Sequence, residues 1–159
     1  EDPSLFKAAY EVNEGQIDRA LQLLKAGLQR EDLRGARVLV LGASFKPGTD
    51  DVRESPALKL AMRLIDLGAE VRIHDPVALR NAEKELGPRA VYCTDVYNCA
   101  EGVDAVVIAT DWPQYKELDL ERLRKAVAYP LIVDGRRIIE PDLARRRGFK
   151  CIGIGISTY

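Results

Sequence analysis

The chain alternates between two hydrophobic periods, one typical of strands and one typical of helices. Short apolar runs predict six strands, at residues 38–41, 71–74, 90–92, 105–109, 131–133 and 151–154. Stretches compatible with helices lie between them, at residues 55–67, 77–86, 95–101, 119–127 and 140–147. Strands that alternate with helices form right-handed crossovers. The pattern therefore predicts an α/β fold, a Rossmann-like doubly wound parallel sheet of about six strands.

A long N-terminal helix is predicted ahead of this sheet. Five apolar residues recur there at spacings of three and four, with charged residues between them: Ile17, Ala20, Leu21, Leu24 and Leu28. No strand precedes this segment, so we interpret it as a lead-in helix. We divide the chain into residues 1–31, the helix, and residues 32–159, the sheet domain.

Composition limits the kinds of partner. With 159 residues, 47% of them hydrophobic, the chain can bury a single core. Its 24 basic and 25 acidic residues leave a net charge of -1, so no overall field attracts nucleic acid or an anionic membrane. The chain has no apolar run of membrane-spanning length, and its N-terminus lacks the basic and apolar regions of a signal peptide. We expect a cytoplasmic protein.

The cysteines predict neither a metal site nor a disulfide framework. Cys93, Cys99 and Cys151 are odd in number and lack metal-ligand spacing. We expect them to be reduced, buried thiols.

The chain also begins at Glu1 rather than at a methionine, which suggests a fragment of a longer protein.

The loop after the first predicted strand is the main candidate for ligand binding. Residues 42–56 read GASFKPGTDDVRESP and join that strand to a helix, at the edge where parallel sheets bind ligands. Lys46 brings a positive charge to this loop, which suits a phosphate. Arg136, in the sequence DGRR, follows the fifth strand and emerges at the same edge. We predict that Lys46 and Arg136 converge on a diphosphate, although Lys46 could simply be solvated.

The same loop argues against a dinucleotide. Gly42 is followed by Ala43 and Ser44, and the pattern GxGxxG is absent. Only Asp75, at the end of the second strand, resembles the acid that binds a ribose in such folds. We therefore predict that this domain alone does not bind NAD.

Three ordered blocks of sequence resemble a known family. They are GASFKPGTDDVRESPALKLAMRLIDLGAEVRIHDP, DAVVIATDWPQYKELDL and LIVDGRRIIEPDLARRRGFKCIGIG. Together they are similar to the C-terminal, UDP-binding domain of the UDP-glucose/GDP-mannose dehydrogenase family, and the resemblance covers almost all of residues 35–156. Residues 5–29, with Asn13 and Gln16, resemble the end of the family's central dimerisation helix.

The resemblance implies that the chain is one domain of an enzyme whose other domains are not in this sequence. It implies the nucleotide-sugar-binding domain of an NAD-dependent nucleotide-sugar 6-dehydrogenase, of the type that converts UDP-glucose to UDP-glucuronate. In that family an N-terminal domain binds NAD, and a cysteine of the central region oxidises the sugar. None of the three cysteines here has the surroundings of that nucleophile, so no catalytic residue is carried over. We expect the isolated chain to be inactive.

The resemblance also assigns residues to ligands. It implies that Phe45, Lys46 and Arg136 contact the nucleotide sugar, with Arg136 preferred over Arg137, for which we predict a surface ion pair. Phe45 could instead pack in a domain interface.

Arg53 has two interpretations. The resemblance implies that it reaches across to the phosphates of NAD in the full-length enzyme. A neighbouring carboxylate, from Asp50, Asp51 or Glu54, could instead neutralise it locally.

Two other functions remain open. The chain could be a stand-alone nucleotide-binding or regulatory module without catalysis. It could also serve assembly, if an exposed apolar stripe over residues 5–28 pairs with a second copy. His74 is predicted to be structural. Trp112 is predicted to pack a loop, with ligand contact as its alternative because it lies at the ligand edge. The sequence does not fix the sugar or the base.

Overall fold

The computed structural model of the protein describes the backbone of residues 3–154 and the side chains of residues 14–154. Six strands are present: β1 (Arg37–Leu41), β2 (Glu70–His74), β3 (Val91–Cys93), β4 (Ala105–Ile108), β5 (Leu131–Asp134) and β6 (Lys150–Gly153). Seven α-helices occur in the same part of the chain: α1 (Pro3–Leu28), α2 (Pro56–Asp66), α3 (Leu79–Leu86), α4 (Val96–Cys99), α5 (Pro113–Lys116), α6 (Leu120–Ala126) and α7 (Pro141–Arg146).

The six strands form one sheet in the order β3-β2-β1-β4-β5-β6, and every neighbouring pair is parallel. This confirms the predicted doubly wound fold and the long helix before it. The strands begin and end within about one residue of the predicted bounds. Helix α5 and a short 3₁₀ turn at Gly87–Arg89 were not predicted.

The central strands are buried on both faces, as a parallel sheet with helices on either side requires. Alternate residues of β1 point into different clusters: Val38 and Val40 pack on one side of the sheet, and Leu39 and Leu41 on the other. The first cluster also contains apolar residues of α1 and α2, while the second contains residues of α4 and α6. One hydrophobic layer therefore covers each face of the sheet.

Helix α1 packs on the sheet domain itself. The apolar residues from Ile17 to Leu24 are buried in the same cluster as the sheet. Gly27 lies so close to β5 that a Cβ on it would be 2.7 Å from the methyl groups of Leu131. Nζ of Lys150 donates to the carbonyl oxygen of Gly27 at 2.9 Å and fastens the end of the helix.

This packing corrects the prediction of an exposed stripe. From residue 17 onward the apolar face is covered by the chain's own sheet, so it is not free to pair with a second copy. The spacing of apolar residues predicted that one face of the helix is buried, but it did not identify the sheet as the surface that covers this face. The side chains of residues 5–13, Asn13 included, lie outside the described residues. A homodimer through this helix stays a prediction. The division of the chain between residues 31 and 32 also stays a prediction.

The expected reduced state of the cysteines is wrong for two of the three. Cys93, at the end of β3, and Cys99, in α4, form a disulfide that closes the connection between these elements. Cys151 in β6 is a buried free thiol, as predicted. A spacing of six residues carries no signal for pairing; the return of the chain from β3 into α4 brings the two sulfur atoms together.

Neither a membrane span nor a metal cluster is found in the described part of the chain. No helix there is long and apolar enough to cross a membrane. No group of three or more His, Cys, Asp or Glu side chains within those residues could hold a metal ion. The cytoplasmic location stays a prediction.

Candidate functional site

The sheet has a crevice where its strand order reverses. Strands β1 and β4 are neighbours at the centre, and the chain leaves them toward different sides of the sheet. In open parallel sheets, ligands bind in this crevice, outside the carboxyl ends of the strands. Three loops meet here: residues 42–55 after β1, residues 109–112 after β4 and residues 135–140 after β5.

Gly42 allows the first two loops to touch. Its backbone has φ +103°, a conformation that favours glycine, and a Cβ on it would lie 2.4 Å from Cβ and Oγ1 of Thr110. The hydroxyl of Thr110 donates to the carbonyl oxygen of Ser44 at 3.1 Å. The floor of the crevice is therefore close-packed.

A buried carboxylate, that of Asp75, holds the beginning of the loop after β1. Its Oδ2 accepts hydrogen bonds from the backbone N–H groups of Ala43 at 2.8 Å and Ser44 at 3.1 Å. The indole Nε1 of Trp112 donates to the same oxygen at 3.2 Å, and the hydroxyl of Ser44 at 3.3 Å. These internal contacts of the indole agree with the loop-packing role predicted for Trp112.

The other oxygen of Asp75 holds the loop after β2. Oδ1 accepts from the backbone N–H groups of Val77 at 2.9 Å and Ala78 at 2.8 Å, immediately before α3. The loops after β1, β2 and β4 are therefore tied to one side chain. Asp75 resembles a ribose-binding acid in its position only, because both of its oxygens accept hydrogen bonds from inside the protein.

The far end of the loop after β1 folds back onto its beginning. The hydroxyl of Ser55 donates to the carbonyl oxygen of Ala43 at 2.7 Å and accepts from the N–H group of Leu58 at 3.4 Å, which caps α2. The N–H group of Phe45 donates to the carbonyl oxygen of Asp51 at 2.7 Å. The loop is therefore closed on itself, with Phe45 and Lys46 near its tip.

Phe45 and Lys46 both face solvent. The ring of Phe45 is 53% exposed, which is unusual for a large apolar side chain. Lys46 is exposed as well, and within residues 14–154 no hydrogen bond or ion pair holds its ammonium group. Both side chains are thus available to a ligand, and their assignment to the nucleotide sugar stays a prediction.

Arg136 is presented by a tight turn after β5. The fully buried carboxylate of Asp134 accepts from the N–H group of Arg136 at 3.1 Å and from that of Ile139 at 2.8 Å. The guanidinium of Arg136 is half exposed and lies 3.4 Å from Oδ1 of Asp111, in the loop after β4. The sequence analysis missed Asp111, although its position three residues after the end of β4 was a usable signal.

Lys46 and Arg136 stand on either side of β4. Their loops follow β1 and β5, which are the two neighbours of β4. At a strand spacing of about 4.8 Å, the ends of β1 and β5 lie roughly 10 Å apart. Lys46 follows five residues beyond the end of β1, and Arg136 two residues beyond the end of β5. A small cavity of about 100 Å³ lies beside Arg136 and is also lined by Gln16 of α1. The predicted placement at one edge is confirmed, while convergence on a diphosphate stays a prediction.

Arg137 differs from the prediction. It adopts a left-handed backbone conformation with φ 55°, and its Nε donates to the carbonyl oxygen of Ile154 at 3.2 Å. No carboxylate among the described side chains forms the predicted ion pair with it. The two adjacent arginines thus point to different surroundings, which makes Arg137 a useful control for Arg136.

Arg53 is neutralised by Asp51. Nε and Nη2 of Arg53 each donate to a different oxygen of Asp51 at 3.0 Å, and the backbone N–H group of Arg53 also donates to Oδ1 at 2.9 Å. These hydrogen bonds lower the pKa of Asp51 to about 2. The local partner is therefore confirmed. The Arg53 side chain is still 87% exposed, and it borders a cleft of about 530 Å³ that neither Lys46 nor Arg136 lines.

His74 lies beneath the ligand edge in a structural role, as predicted. Its Nδ1 is 2.8 Å from the hydroxyl of Tyr115, and both side chains are buried. Burial lowers the pKa of the His74 imidazole, an effect that the Asp75 carboxylate and a backbone hydrogen bond at Thr94 partly offset. Burial also raises the pKa of the Tyr115 phenol. The neutral form of each group is thus favoured in the fold.

His74 predicts a stability that falls in mild acid. Its pKa is lower in the folded than in the unfolded state, where it is about 6.5. Stability is therefore fully present above about pH 6.5, and it is lost below that as the unfolded state takes up the proton first, by at most about 1.4 kcal/mol per pH unit. Urea unfolding between pH 7.5 and 5 should show this slope in the wild type and a smaller one in His74→Gln. Equal slopes would contradict the prediction.

The sequence matches a described protein family. Residues 39–141 fit the UDP binding domain of the UDP-glucose/GDP-mannose dehydrogenase family. UDP-glucose 6-dehydrogenase AglM of Haloferax volcanii is 43% identical over 147 residues, which are 92% of this chain and 32% of that protein. UDP-glucose 6-dehydrogenase TuaD of Bacillus subtilis is 37% identical over 155 residues, 95% of this chain and 32% of that protein.

A solved structure agrees with these relatives. The UDP-glucose dehydrogenase of the hyperthermophilic archaeon Pyrobaculum islandicum superposes with a TM-score of 0.77 at 39% identity, over 96% of this chain and 32% of that one. This chain thus spans about a third of the length of the relatives that it matches. Since the family match covers more than half of the 159 residues, the chain belongs to the UDP-glucose/GDP-mannose dehydrogenase family and contains its UDP binding domain.

Proposed function

We propose that this chain binds the diphosphate and sugar of a nucleotide sugar, and that it serves an NAD-dependent 6-dehydrogenase acting on UDP-glucose. The observation that carries this proposal is a pair of basic side chains, Lys46 and Arg136, on loops at one edge of the sheet. Lys46 has no partner within residues 14–154, and Arg136 is held only by a half-exposed ion pair with Asp111. The exposed ring of Phe45 adjoins Lys46 and offers an apolar face to the same ligand.

Positive side chains, rather than backbone N–H groups, bind the phosphates in this proposal. The first N–H groups of the loop are taken by Asp75, and the start of α2 is capped by Ser55. A diphosphate that arrives at this edge therefore finds charge mainly on Lys46 and Arg136. Hydrogen bonds from such groups to phosphate are charge-assisted and short, so the two contacts supply most of the polar binding energy.

Oxidation of the sugar requires groups that these residues do not offer. Cys93 and Cys99 are bonded to each other, and burial raises the pKa of the Cys151 thiol to about 12. A nucleophilic cysteine needs the opposite, a lowered pKa and access to substrate. We assign the catalytic cysteine and the NAD site to other parts of the whole enzyme, with Arg53 reaching the cofactor phosphates from this chain.

Ligand-dependent unfolding tests the proposal. UDP and UDP-glucose, at about 100 times their dissociation constants, should raise the free energy of unfolding by about 2.7 kcal/mol, while NAD at equal concentration should not. GDP-mannose should act only slightly less than UDP-glucose, because the site described here reads the diphosphate rather than the base. Calorimetry or dye-monitored melting measures the shifts. Stabilisation by NAD equal to that by UDP, or none by any nucleotide diphosphate at millimolar concentration, would refute the proposal.

A further inference from the structure

The carboxylate of Asp75 occupies a place where related folds bind a ligand. In dinucleotide-binding sheets, backbone N–H groups of the turn after the first strand face the pyrophosphate at the switch point. Here the corresponding N–H groups belong to Ala43 and Ser44, and both donate to Oδ2 of Asp75. The side chain that fills this place comes from the neighbouring strand end, 31 to 32 residues further along the chain.

The surroundings of this carboxylate have the character of an anion site. Asp75 is only 3% exposed, and no lysine or arginine with a described side chain forms an ion pair with it. Neutral donors surround it instead: four hydrogen bonds reach Oδ2 and two reach Oδ1. Successive backbone N–H groups that converge in this way form concavities for anions elsewhere in proteins.

We propose that Asp75 is an internal ligand, which fills the anion site of the loop after β1 and thereby excludes the phosphates of a dinucleotide from it. Asp75 is then a specificity-determining residue, because it decides which nucleotide phosphates the sheet edge accepts. The proposal does not rest on nucleotide-sugar binding. A negative result with UDP would leave it standing, since its test uses formate and inorganic phosphate.

An external anion should replace the side chain once the carboxylate is removed. Asp75→Ala deletes the carboxylate and leaves the donors of Ala43, Ser44, Val77 and Ala78 around a gap. Formate carries the same two oxygen atoms as the deleted group and should fill that gap. Phosphate is larger, and its binding would show that the site accepts the group that a dinucleotide presents. Asp75→Asn is the matched control, because its amide fills the space while losing the negative charge.

Thermal unfolding of the whole chain tests whether an added anion replaces the Asp75 carboxylate. Sodium formate and inorganic phosphate, at up to 10 mM, are compared with sodium chloride at equal ionic strength. We expect both variants to melt well below the wild type. Only Asp75→Ala should then gain a saturable rise in Tm with formate and with phosphate, of a few degrees, whereas Asp75→Asn and the wild type should respond as they do to chloride.

The measurement remains decisive if Asp75→Ala is too unstable to fold in plain buffer. It is then made in sucrose, which favours the folded state without supplying an anion, and the recovery of folded protein by circular dichroism replaces Tm. A gain with phosphate that chloride does not give supports the proposal, and a matching gain with formate shows that the anion takes the place of the carboxylate. A gain with formate alone would overturn the exclusion of phosphates, because the vacated site would then not accept them. The absence of such a gain in Asp75→Ala, or an equal gain in Asp75→Asn, overturns it and leaves Asp75 as a structural hydrogen-bond acceptor.

Discussion

Replacement of Gly42 by alanine should lower the free energy of unfolding by about 3 kcal/mol or more. Two costs add at this position. The backbone has φ +103°, which strains any residue with a Cβ, and the new Cβ would lie 2.4 Å from Thr110 Oγ1 and 2.8 Å from the Thr110 backbone nitrogen. The backbone atom cannot move aside as the end of a flexible side chain could. The loops after β1 and β4 must then separate, and the crevice loses its floor.

Gly35 supplies the matched control for this prediction. It also has a positive φ, of +76°, but a Cβ on it would meet nothing within 4 Å. Gly35→Ala should therefore cost only the conformational part, about 1 kcal/mol. Urea unfolding, followed by circular dichroism, measures both variants. A cost for Gly42→Ala no larger than that for Gly35→Ala would show that contact with Thr110 does not constrain the loop.

The sequence predicted the fold well where the pattern of apolar residues continued without interruption along a whole strand or helix. Strands β1 and β5 each have one charged residue at an end, Arg37 and Asp134, and are otherwise apolar and buried. Such apolar runs identify a strand from the sequence alone. Helix α2 lies within the predicted stretch of residues 55–67, and Ser55 caps its start with Pro56 as its first residue. Both residue types are typical of a helix N-terminus. Alternation of such elements was enough to predict a parallel sheet, since few topologies satisfy it.

The sequence was less informative where elements are short. Helix α5 has four residues, Pro113–Lys116, which is barely more than one turn and too few to show a period. Strand β3 lies at the edge of the sheet and exposes Val91, so its apolar run is weak and its predicted bounds were shifted by one residue. In both cases tertiary packing, rather than local pattern, fixes the element.

Contacts between distant residues account for what was missed at the site. The placement of Lys46 and Arg136 at one edge followed from strand topology alone. The pairing of Arg136 with Asp111 and the position of Asp75 under the loop depend on which loops face each other across the crevice. These contacts join residues that are 25 and 32 positions apart, and no spacing rule in a single sequence identifies them.

Loss of the Arg136 guanidinium should weaken UDP binding about 10- to 100-fold. This estimate assumes charge-assisted hydrogen bonds to phosphate worth about 1.5–3 kcal/mol, at about 1.4 kcal/mol for each factor of ten. Titration calorimetry of Arg136→Ala with UDP measures the loss. Arg137→Ala is the control, and it should bind UDP within about twofold of the wild type, because Arg137 is directed at the carbonyl oxygen of Ile154. Equal losses in the two variants would remove Arg136 from the site.

Two further variants test how Lys46 and Asp111 act with Arg136. Lys46→Ala should weaken UDP binding about 10-fold, and the double variant should lose the sum of the two free energies, because the two side chains lie on different loops and share no hydrogen bond or ion pair among the described residues. Asp111→Asn should have the opposite sign, since it removes a carboxylate 3.4 Å from the guanidinium that competes with the ligand for it. Half-exposed ion pairs are worth about 1 kcal/mol or less, so the gain in affinity should be a few-fold. Weaker binding in Asp111→Asn would mean that Asp111 orients Arg136 rather than competing for it.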